Sequence, residues 1–393
     1  ETYKVALAKA ERIAMLEKAG AAKSEDVMGD VVSDSAAATV TGRALVASTL
    51  NSLGVLHYHA SSSASDESTS SVAMDHFDRA LDLRKTVLGP RHEDVATVLN
   101  NIGRVHVQKD RFDDALEYYE EALSIRRERL GRDSLDYAAT AFNAGQSLHQ
   151  RGELDRALEL YREFLRVAQL RFAGTDHRDV AVVLSGIAQI HQERGEHTEA
   201  LALYERSLKA GRAALGEYHS EVAMLLNRIG NFHFERDDLD AALRCYQEGL
   251  EIERRVLDAD HPNIVVTLSN LGEIHRQRSE WDDAFKMYKE ALELQRRRLG
   301  ENHPDVASTL NTLGLIHDQK GDSCAALKCL QDALLLRRAA LGNDHLDVSA
   351  TLTYVGTILY RRNVLGVAMD LFSESLRIRR ASLGPDHRDV AFT

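Results

Sequence analysis

The sequence of 393 residues predicts an all-α fold in which pairs of helices stack into a solenoid. Three observations predict it: a period of 42 residues, apolar residues at helical spacing within each period, and prolines confined to the segments between periods. A Leu-Gly pair marks the period at Leu88-Gly89, Leu130-Gly131, Leu215-Gly216, Leu299-Gly300, Leu341-Gly342 and Leu383-Gly384. A single helix pair cannot bury its apolar stripe alone, so stacking of neighbouring pairs supplies the core.

Each period predicts two helices separated by a short polar turn. In residues 88–131 the first apolar stripe consists of Val95, Leu99, Ile102 and His106. The second stripe consists of Ala115, Tyr119, Ala122, Ile125 and Leu130. Both stripes follow the spacing of three and four residues that places side chains on one face of a helix. The linkers between periods contain all four prolines, Pro90, Pro262, Pro304 and Pro385, as expected where a helix ends or begins.

Small residues recur at two positions inside the predicted helices. The first position holds Gly54, Gly103, Gly145, Ala188, Gly230, Gly272, Gly314 and Gly356. The second holds Ala73, Ala115, Ala157, Ala200, Ala242, Ala284, Ala326 and Ala368. Because glycine inside a helix costs about 1 kcal/mol relative to alanine, its recurrence indicates that two helices cross closely there. An aromatic residue four positions after most of these alanines is expected to wedge between the helices.

The pattern of Leu-Gly, a linker His or Tyr, Ala and an aromatic residue resembles the tetratricopeptide repeat. The long period and the linker pattern Leu-Gly-x-x-His-x-Asp-Val-Ala are similar to those of the kinesin light chain and nephrocystin type. The resemblance covers residues 44–393 and implies a right-handed superhelix whose first helices line a concave surface. It implies a non-enzymatic adaptor with a protein or peptide partner. Association with a kinesin motor rests on the resemblance alone, because residues 1–43 show no sustained heptads.

The repeats divide the chain into three parts. Residues 1–43 are expected to form an N-terminal helix and a flexible connector, and residues 44–384 form eight repeats. Residues 385–393 are expected to open a further repeat. The first repeat carries a Ser-rich insertion at residues 59–71, whose composition predicts a disordered loop.

Composition argues against several classes of function. The formal net charge is −12, and an acidic chain is poorly suited to neutralise nucleic-acid phosphates. No apolar run approaches the roughly 18 residues of a membrane-spanning helix, so membrane insertion is not expected. Three Cys in so long a chain cannot form a disulfide framework, which favours a reducing compartment and a cytoplasmic protein.

The sequence contains no recognisable catalytic, cofactor-binding or metal-binding motif. Most of its 17 His residues occupy two repeat positions. The first position holds His57, His106, His191, His233, His275 and His317, and the second holds His92, His177, His219, His261, His303, His345 and His387. Equivalent residues of stacked repeats are on the order of 10 Å apart, too far to share a metal ion. We expect these imidazoles to be buried or capping groups with a backbone or carboxylate partner.

Three serines are candidates for phosphorylation. Ser63 and Ser65 lie in the Ser-rich insertion, where an added phosphate would change the charge beside the first repeat. Ser382 follows two arginines in the segment IRRASLG, a pattern that suits a basophilic kinase. Most repeats carry arginine at one or both of these positions, however, and the repeat alone explains the motif.

The strongest indication of function is the face of each first helix that lies opposite its apolar stripe. This face is rich in Asn and Gln, whose amides both donate and accept hydrogen bonds and suit the backbone of an extended peptide. The predicted peptide-binding residues are Asn51, Asn100, Arg104, Gln108, Gln146, Gln150, Gln189, Gln192, Asn227, Asn231, Arg276, Asn311 and Gln319. One alternative is that packing between helices selects these amides. Another is that the array is an architectural spacer or a regulatory part of a larger multidomain protein.

Overall fold

The computed structural model describes residues 32–63, 67–171, 177–385 and 387–391. Within these ranges every regular element is a helix, and seventeen helices are present. The prediction of an all-α array of helix pairs is confirmed. The chain divides into two compact units, Glu1–Ala210 and Gly211–Thr393, and the division falls inside the eighth helix.

The N-terminal unit is built from the first seven helices and most of the eighth. They are α1 (Val32–Ser63), α2 (Glu67–Leu88), α3 (Glu93–Gln108), α4 (Phe112–Leu130), α5 (Leu135–Gln150), α6 (Leu154–Arg171), α7 (Arg178–Glu193) and α8 (His197–Leu215). Helices α1 and α2, α3 and α4, and α5 and α6 pack as pairs, and each pair packs on the next. Tyr119, Tyr161 and Leu184 lie in one buried core that continues from pair to pair.

The C-terminal unit repeats the same arrangement. Its helices are α9 (Ser220–Phe234), α10 (Leu239–Val256), α11 (Pro262–Gln277), α12 (Trp281–Leu299), α13 (Pro304–Gln319), α14 (Ser323–Leu341), α15 (Leu346–Arg361), α16 (Leu365–Leu383) and α17 (Arg388–Ala391). Each odd-numbered helix from α9 to α15 packs on the helix that follows it. We number the pairs as repeats one to eight, from α1 with α2 to α15 with α16.

The first repeat differs from the expectation drawn from the sequence. Helix α1 begins at Val32, so it includes residues 32–43, which the sequence analysis assigned to a connector. It continues to Ser63, and α2 begins at Glu67, so the described part of the Ser-rich insertion lengthens two helices. Ser, Ala and Glu are compatible with a helix that already has a nucleus, which composition alone does not reveal. Residues 1–31, with the predicted N-terminal helix, lie outside the described residues.

The recurrent glycine marks a close approach of the two helices in a repeat. A Cβ atom added to Gly103 would lie 2.5 Å from the ring of Tyr119, and one added to Gly230 would lie 2.6 Å from the ring of Tyr246. Both rings are almost completely buried. The predicted aromatic wedge is therefore confirmed at these positions.

Repeat four shows what happens when this position is not glycine. Ala188 occupies it, and the hydroxyl of Tyr204 donates a hydrogen bond to Gln192, four residues further along α7, at 2.9 Å. In repeat five, which has Gly230, the Tyr246 hydroxyl instead donates to Asn231, the next residue, at 2.6 Å. In the repeat that carries the Ala188 methyl group, the hydrogen-bond acceptor of the tyrosine thus lies about one helical turn further along the first helix.

In four repeats, an arginine near the end of the second helix forms a hydrogen bond with the first turn of the helix that follows. Arg126 of α4 donates to the backbone oxygen of Asp136 in the first turn of α5 at 2.7 Å. The equivalent contacts join Arg84 to Asp94, Arg337 to Asp347 and Arg379 to Asp389, at 2.6, 3.0 and 2.9 Å. In the intervening repeats the same position holds Ala168, Gly211, Glu253 and Gln295. We call this the clamp position.

The linker histidines cap the first helices of repeats two and four to eight, and helix α17. In every case the imidazole Nδ1 accepts a hydrogen bond from the backbone N–H two residues ahead, at 3.1 or 3.2 Å. The residues are His92, His177, His219, His261, His303, His345 and His387. In repeat three Ser134 occupies the same position, and its hydroxyl accepts from the N–H of Asp136 at 3.2 Å. The predicted capping role of these histidines is confirmed.

Replacing His261 by alanine is expected to destabilise the C-terminal unit by about 1 kcal/mol, the usual cost of losing an N-cap. His261 is a suitable choice because its acceptor bond goes to Asn263, which adds no acidic group beside the ring. The serine found in repeat three supplies the control, since His261→Ser keeps a cap acceptor. Urea unfolding should rank the alanine variant below both the parent and the serine variant. Equal stability of the two variants would contradict the capping role.

None of the helices in the described part of the chain is both long enough and apolar enough to cross a membrane.

Candidate peptide-binding groove

A cavity of about 510 Å³ lies along the first helices of the N-terminal unit. Three of the predicted peptide-binding residues line it: Asn100 and Arg104 of α3 and Gln146 of α5. Tyr58 of α1 and Arg178 of α7 also line it, so helices of four successive repeats contribute. We refer to this cavity as the groove.

Two asparagines from neighbouring repeats are joined beside the groove. The Nδ2 of Asn143 donates to the Oδ1 of Asn100 at 2.9 Å, and both residues line the groove. One repeat earlier, Asn101 donates in the same way to Asn51 at 3.0 Å. The bond uses the oxygen of Asn100 and the nitrogen of Asn143. The Asn100 amide therefore retains donor hydrogens and the Asn143 amide retains a carbonyl oxygen, a combination that matches a peptide group.

The positive charge of Arg104 is held in place by an aromatic ring. Its guanidinium carbon lies 4.5 Å from the centroid of the Tyr58 ring, within the range of a cation–π interaction. No carboxylate among the described residues is hydrogen-bonded to Arg104 or forms an ion pair with it. The groove lining contains one acidic residue, Asp179, and two basic residues, Arg104 and Arg178. The groove thus offers a fixed guanidinium to an incoming anionic group.

Apolar side chains form one wall of the groove. Phe142 lies with its ring centroid 5.6 Å from that of Tyr161 and 5.9 Å from that of Phe164. Phe164, Val107, Val182 and Ala139 also belong to the apolar lining. The neighbouring Tyr119 also lines the groove, and burial raises the pKa of its phenol above the ordinary value, so it remains a neutral group. This wall can accept an apolar side chain of a bound segment.

The other predicted residues of the N-terminal unit are not brought into the groove lining. Gln108 and Gln150 are exposed at the ends of α3 and α5. Gln189 donates to Glu193 of the same helix at 3.3 Å, and Gln192 accepts from Tyr204 at 2.9 Å.

In the C-terminal unit the predicted amides make contacts within the stack. The Nδ2 of Asn227 donates to Thr267 at 2.8 Å and to Glu253 at 3.0 Å. The Oδ1 of Asn311 accepts from Thr351 at 3.3 Å, and Asn311 is buried. These are the contacts that the packing alternative predicts.

The remaining predicted residues of this unit are held by neighbours or lie at the surface. The Oδ1 of Asn231 accepts from Tyr246, as described above, and Arg276 forms two hydrogen bonds with Glu273, the longer at 2.7 Å. Gln319 is exposed at the end of α13. The candidate phosphosite Ser382 is exposed near the end of α16, Ser63 ends α1, and Ser65 lies outside the described residues.

Sequence reasoning missed Asn101 and Asn143, which follow the predicted position by one residue. Their recurrence in two adjacent repeats is visible in the sequence. The hydrogen bond, however, joins two different repeat positions, so comparing the repeats one position at a time does not detect it.

Histidines of the first repeat position, near the end of the first helix, pair with carboxylates of the turn that follows. His233 lies 3.2 Å from Asp238 and His275 lies 2.5 Å from Glu280, and His191 contacts Glu196 in the same way. His275, Glu280 and Asp283 lie within 4.8 Å of one another, the one such set of possible metal ligands in the described ranges. Asp283 also pairs with Lys286 at 2.9 Å, which lowers the pKa of its carboxyl. Because the His–carboxylate contact recurs in repeats without a third ligand, it is a structural feature of the turn.

The family model of the tetratricopeptide repeat matches most of the chain. The matched ranges are 72–128, 107–170, 136–213, 179–227, 221–297, 264–334 and 348–389. The chain belongs to the tetratricopeptide repeat family, whose repeats are protein-interaction scaffolds. No curated protein matches the chain in sequence.

Solved structures share the fold at low sequence identity. The apo form of the quorum sensor NprR from B. thuringiensis is 12% identical, with 96% of each chain covered and a TM-score of 0.58. BtubC (BKLC) from P. vanneervenii is 22% identical over 60% of this chain and 93% of its own, with a TM-score of 0.51. A kinesin light chain protein with nearly identical TPR-like repeats from Podosopora anserina is 15% identical over 53% and 99%, with a TM-score of 0.47. The first two similarities concern the fold alone.

Proposed function

We propose that this chain is a non-enzymatic, cytoplasmic adaptor that binds an extended segment of a partner protein in the groove of the N-terminal unit. The observation that carries the proposal is the Asn100–Asn143 pair, which presents a donor and an acceptor beside the fixed guanidinium of Arg104. Extended peptides expose one donor and one acceptor per residue, so a paired donor and acceptor favour peptide over most other ligands. The proposal involves no cofactor, no nucleic acid and no membrane insertion.

The groove chemistry favours a segment with an apolar side chain close to a carboxylate. The apolar side chain would contact Phe142 and Phe164, and the carboxylate would pair with Arg104. The equivalent surface of the C-terminal unit is different, because Arg276 is engaged by Glu273 and Arg361 by Asp318. An acidic segment is therefore proposed to bind the N-terminal unit.

The C-terminal unit supports the architectural alternative for its own half of the chain. Its Asn227 and Asn311 side chains form hydrogen bonds within the stack, as described above. Ion pairs also join the turn of one repeat to the next, with Arg278 on Asp240 and Lys320 on Asp282. Equivalent ion pairs, Arg151 on Asp113 and Arg194 on Asp155, occur in the N-terminal unit, so the asparagine contacts are what favours an architectural function of the C-terminal unit.

Screening the full chain against a library of peptides from disordered regions should enrich acidic segments that contain an apolar residue. Replacing Arg104 by glutamine is expected to weaken the selected peptides about tenfold or more. The reason is that a hydrogen bond to a charged group contributes roughly 1.5–3 kcal/mol, and about 1.4 kcal/mol is a factor of ten. Asn100→Ala should weaken them less, by loss of one neutral donor.

The matched control is Arg276→Gln, which makes the same chemical change in the C-terminal unit. Calorimetric titration should show an unchanged Kd for this variant. A Kd that responds equally to Arg104→Gln and Arg276→Gln would place the binding surface elsewhere. A screen with no enriched segment would favour the architectural function for the whole chain.

A further inference from the structure

Glu253 is a fully buried carboxyl in the junction between repeats five and six. It occupies the clamp position of α10, where repeats two and seven carry Arg126 and Arg337. None of its surface is exposed. Its Oε1 accepts a hydrogen bond from the Nδ2 of Asn227 in α9 at 3.0 Å. An ionised carboxylate so deeply buried needs a cation or several donors to be stable.

Two oxygen atoms in this junction have no hydrogen-bond partner. They are the Oε2 of Glu253 and the Oδ1 of Asn227, and both atoms are inaccessible to solvent. The other polar atom of each side chain, Oε1 of Glu253 and Nδ2 of Asn227, already forms the Asn227–Glu253 bond. Leaving two buried acceptors without donors is expensive, at roughly 1–3 kcal/mol each.

Within the described part of the chain, no charged side chain compensates the buried carboxyl. Helix α9 presents Asn227 and helix α11 presents Thr267, which are both neutral. On α10 itself, the adjacent Arg254 is engaged by Glu290 of α12 and the adjacent Arg255 by Glu251. Burial is the dominant cause that raises the pKa of Glu253, against smaller opposing effects of the neighbouring Thr267 and Asn227 side chains.

Gly249 leaves room for the arrangement. A Cβ atom at this position would lie 2.9 Å from the Oδ1 of Asn227. Other repeats have a side chain here, as with Ala122 and Ala291. In repeat five, the missing side chain therefore leaves space beside the amide oxygen that lacks a partner.

We propose that Glu253 is a neutral carboxylic acid whose Oε2–H donates to the Oδ1 of Asn227. Together with the observed bond from Nδ2 to Oε1, it forms a cyclic acid–amide pair. One proton satisfies both unpartnered oxygens and removes the buried charge. The pair fixes Asn227 in the junction, so that this asparagine is not available to a partner; this last consequence alone rests on the proposed function.

Repeat six supplies a natural comparison. Gln295 occupies the clamp position of α12, and its Oε1 accepts from Thr309 at 2.7 Å. Thr309 occupies the same repeat position as Thr267. A glutamine at the clamp position is therefore compatible with this junction. In Glu253→Gln the side-chain NH₂ would replace the proposed O–H as donor to Asn227, without a titratable group.

The sign of the pH dependence follows from the raised pKa. A group whose pKa is higher in the folded chain contributes stability that is complete below its unfolded pKa. That contribution is lost as the pH rises through its folded value. The parent chain should therefore lose stability relative to Glu253→Gln as the pH increases from mildly acidic to alkaline. At neutral pH the glutamine variant should be at least as stable as the parent.

Infrared difference spectroscopy of the full parent chain against Glu253→Gln tests the proton directly. At neutral pH the parent should show the carbonyl stretch of a protonated carboxylic acid, and the variant should lack it. A carboxylate band in its place would overturn the proposal, as would a variant that is less stable than the parent at every pH. If the variant does not fold, a pH titration of the acid band in the parent still decides. None of these readouts depends on partner binding, so failure of the proposed function would leave them unchanged.

Discussion

Replacing Gly103 by valine is expected to destabilise the N-terminal unit by about 3 kcal/mol, the upper range for overpacking a core. The first added carbon would lie 2.5 Å from the ring of Tyr119, which is 1% exposed. Valine adds two methyl groups to that clash and is also restricted in a helix. Equilibrium unfolding in urea, followed by circular dichroism, should show an early transition for the variant.

Two further substitutions make this prediction specific. Gly103→Ala should cost less than valine, because repeat four accommodates Ala188 with its tyrosine bonded one turn further along the helix. Gly366→Ala is the control, since that helical glycine has no atom within 4 Å of an added Cβ. It should stabilise the chain by up to about 1 kcal/mol through helix propensity. Equal changes in the free energy of unfolding for Gly103→Ala and Gly366→Ala would show that the close approach in repeat two does not affect stability.

Replacing Arg126 by alanine should cost about 3 kcal/mol. The guanidinium is buried and donates to the backbone oxygen of Asp136, to the hydroxyl of Thr140 and, at 3.2 Å, to that of Thr97. Its removal takes a buried donor away from these acceptors, and a buried group left unsatisfied costs roughly 1–3 kcal/mol. The loss of stability should be greatest in the first turn of α5, where Arg126 donates to a backbone oxygen.

The neighbouring residue provides a matched control. Arg127→Ala removes the same charge from the same helical turn, but Arg127 is exposed. A surface substitution of this kind changes stability by less than about 0.5 kcal/mol. Hydrogen exchange at the start of α5 should accelerate in Arg126→Ala and remain unchanged in Arg127→Ala. Faster exchange in both variants would indicate that net charge, and not the clamp, stabilises the junction.

Much of the fold could be predicted because the same physical constraints recur in each repeat. The Gly103–Tyr119 contact, the histidine caps and the paired helices each appear several times in the sequence, so a single ambiguous repeat does not change the interpretation. The Ser-rich insertion occurs once, and its composition did not reveal that its described residues extend α1 and α2.

The candidate site was less predictable, because it depends on contacts between repeats. Asn100 and Asn227 occupy the same repeat position, yet one lines the groove and the other is bound by Glu253 and Thr267. What differs is the clamp position, which is Arg126 in one repeat and Glu253 in the other. Pattern analysis of one helix at a time cannot distinguish these outcomes, since the deciding side chain lies on the following helix.

The histidine caps have a spectroscopic consequence. Because Nδ1 accepts the backbone hydrogen bond, the ring hydrogen of each neutral capping imidazole must reside on Nε2. Folded linkers therefore select a single tautomer, whereas an unfolded linker leaves the ring free to exchange between both. Nitrogen chemical shifts of the imidazoles would then act as built-in reporters, one at nearly every repeat boundary. Stability in repeat arrays is a sum of local and nearest-neighbour terms, so these reporters could resolve the order in which individual junctions open.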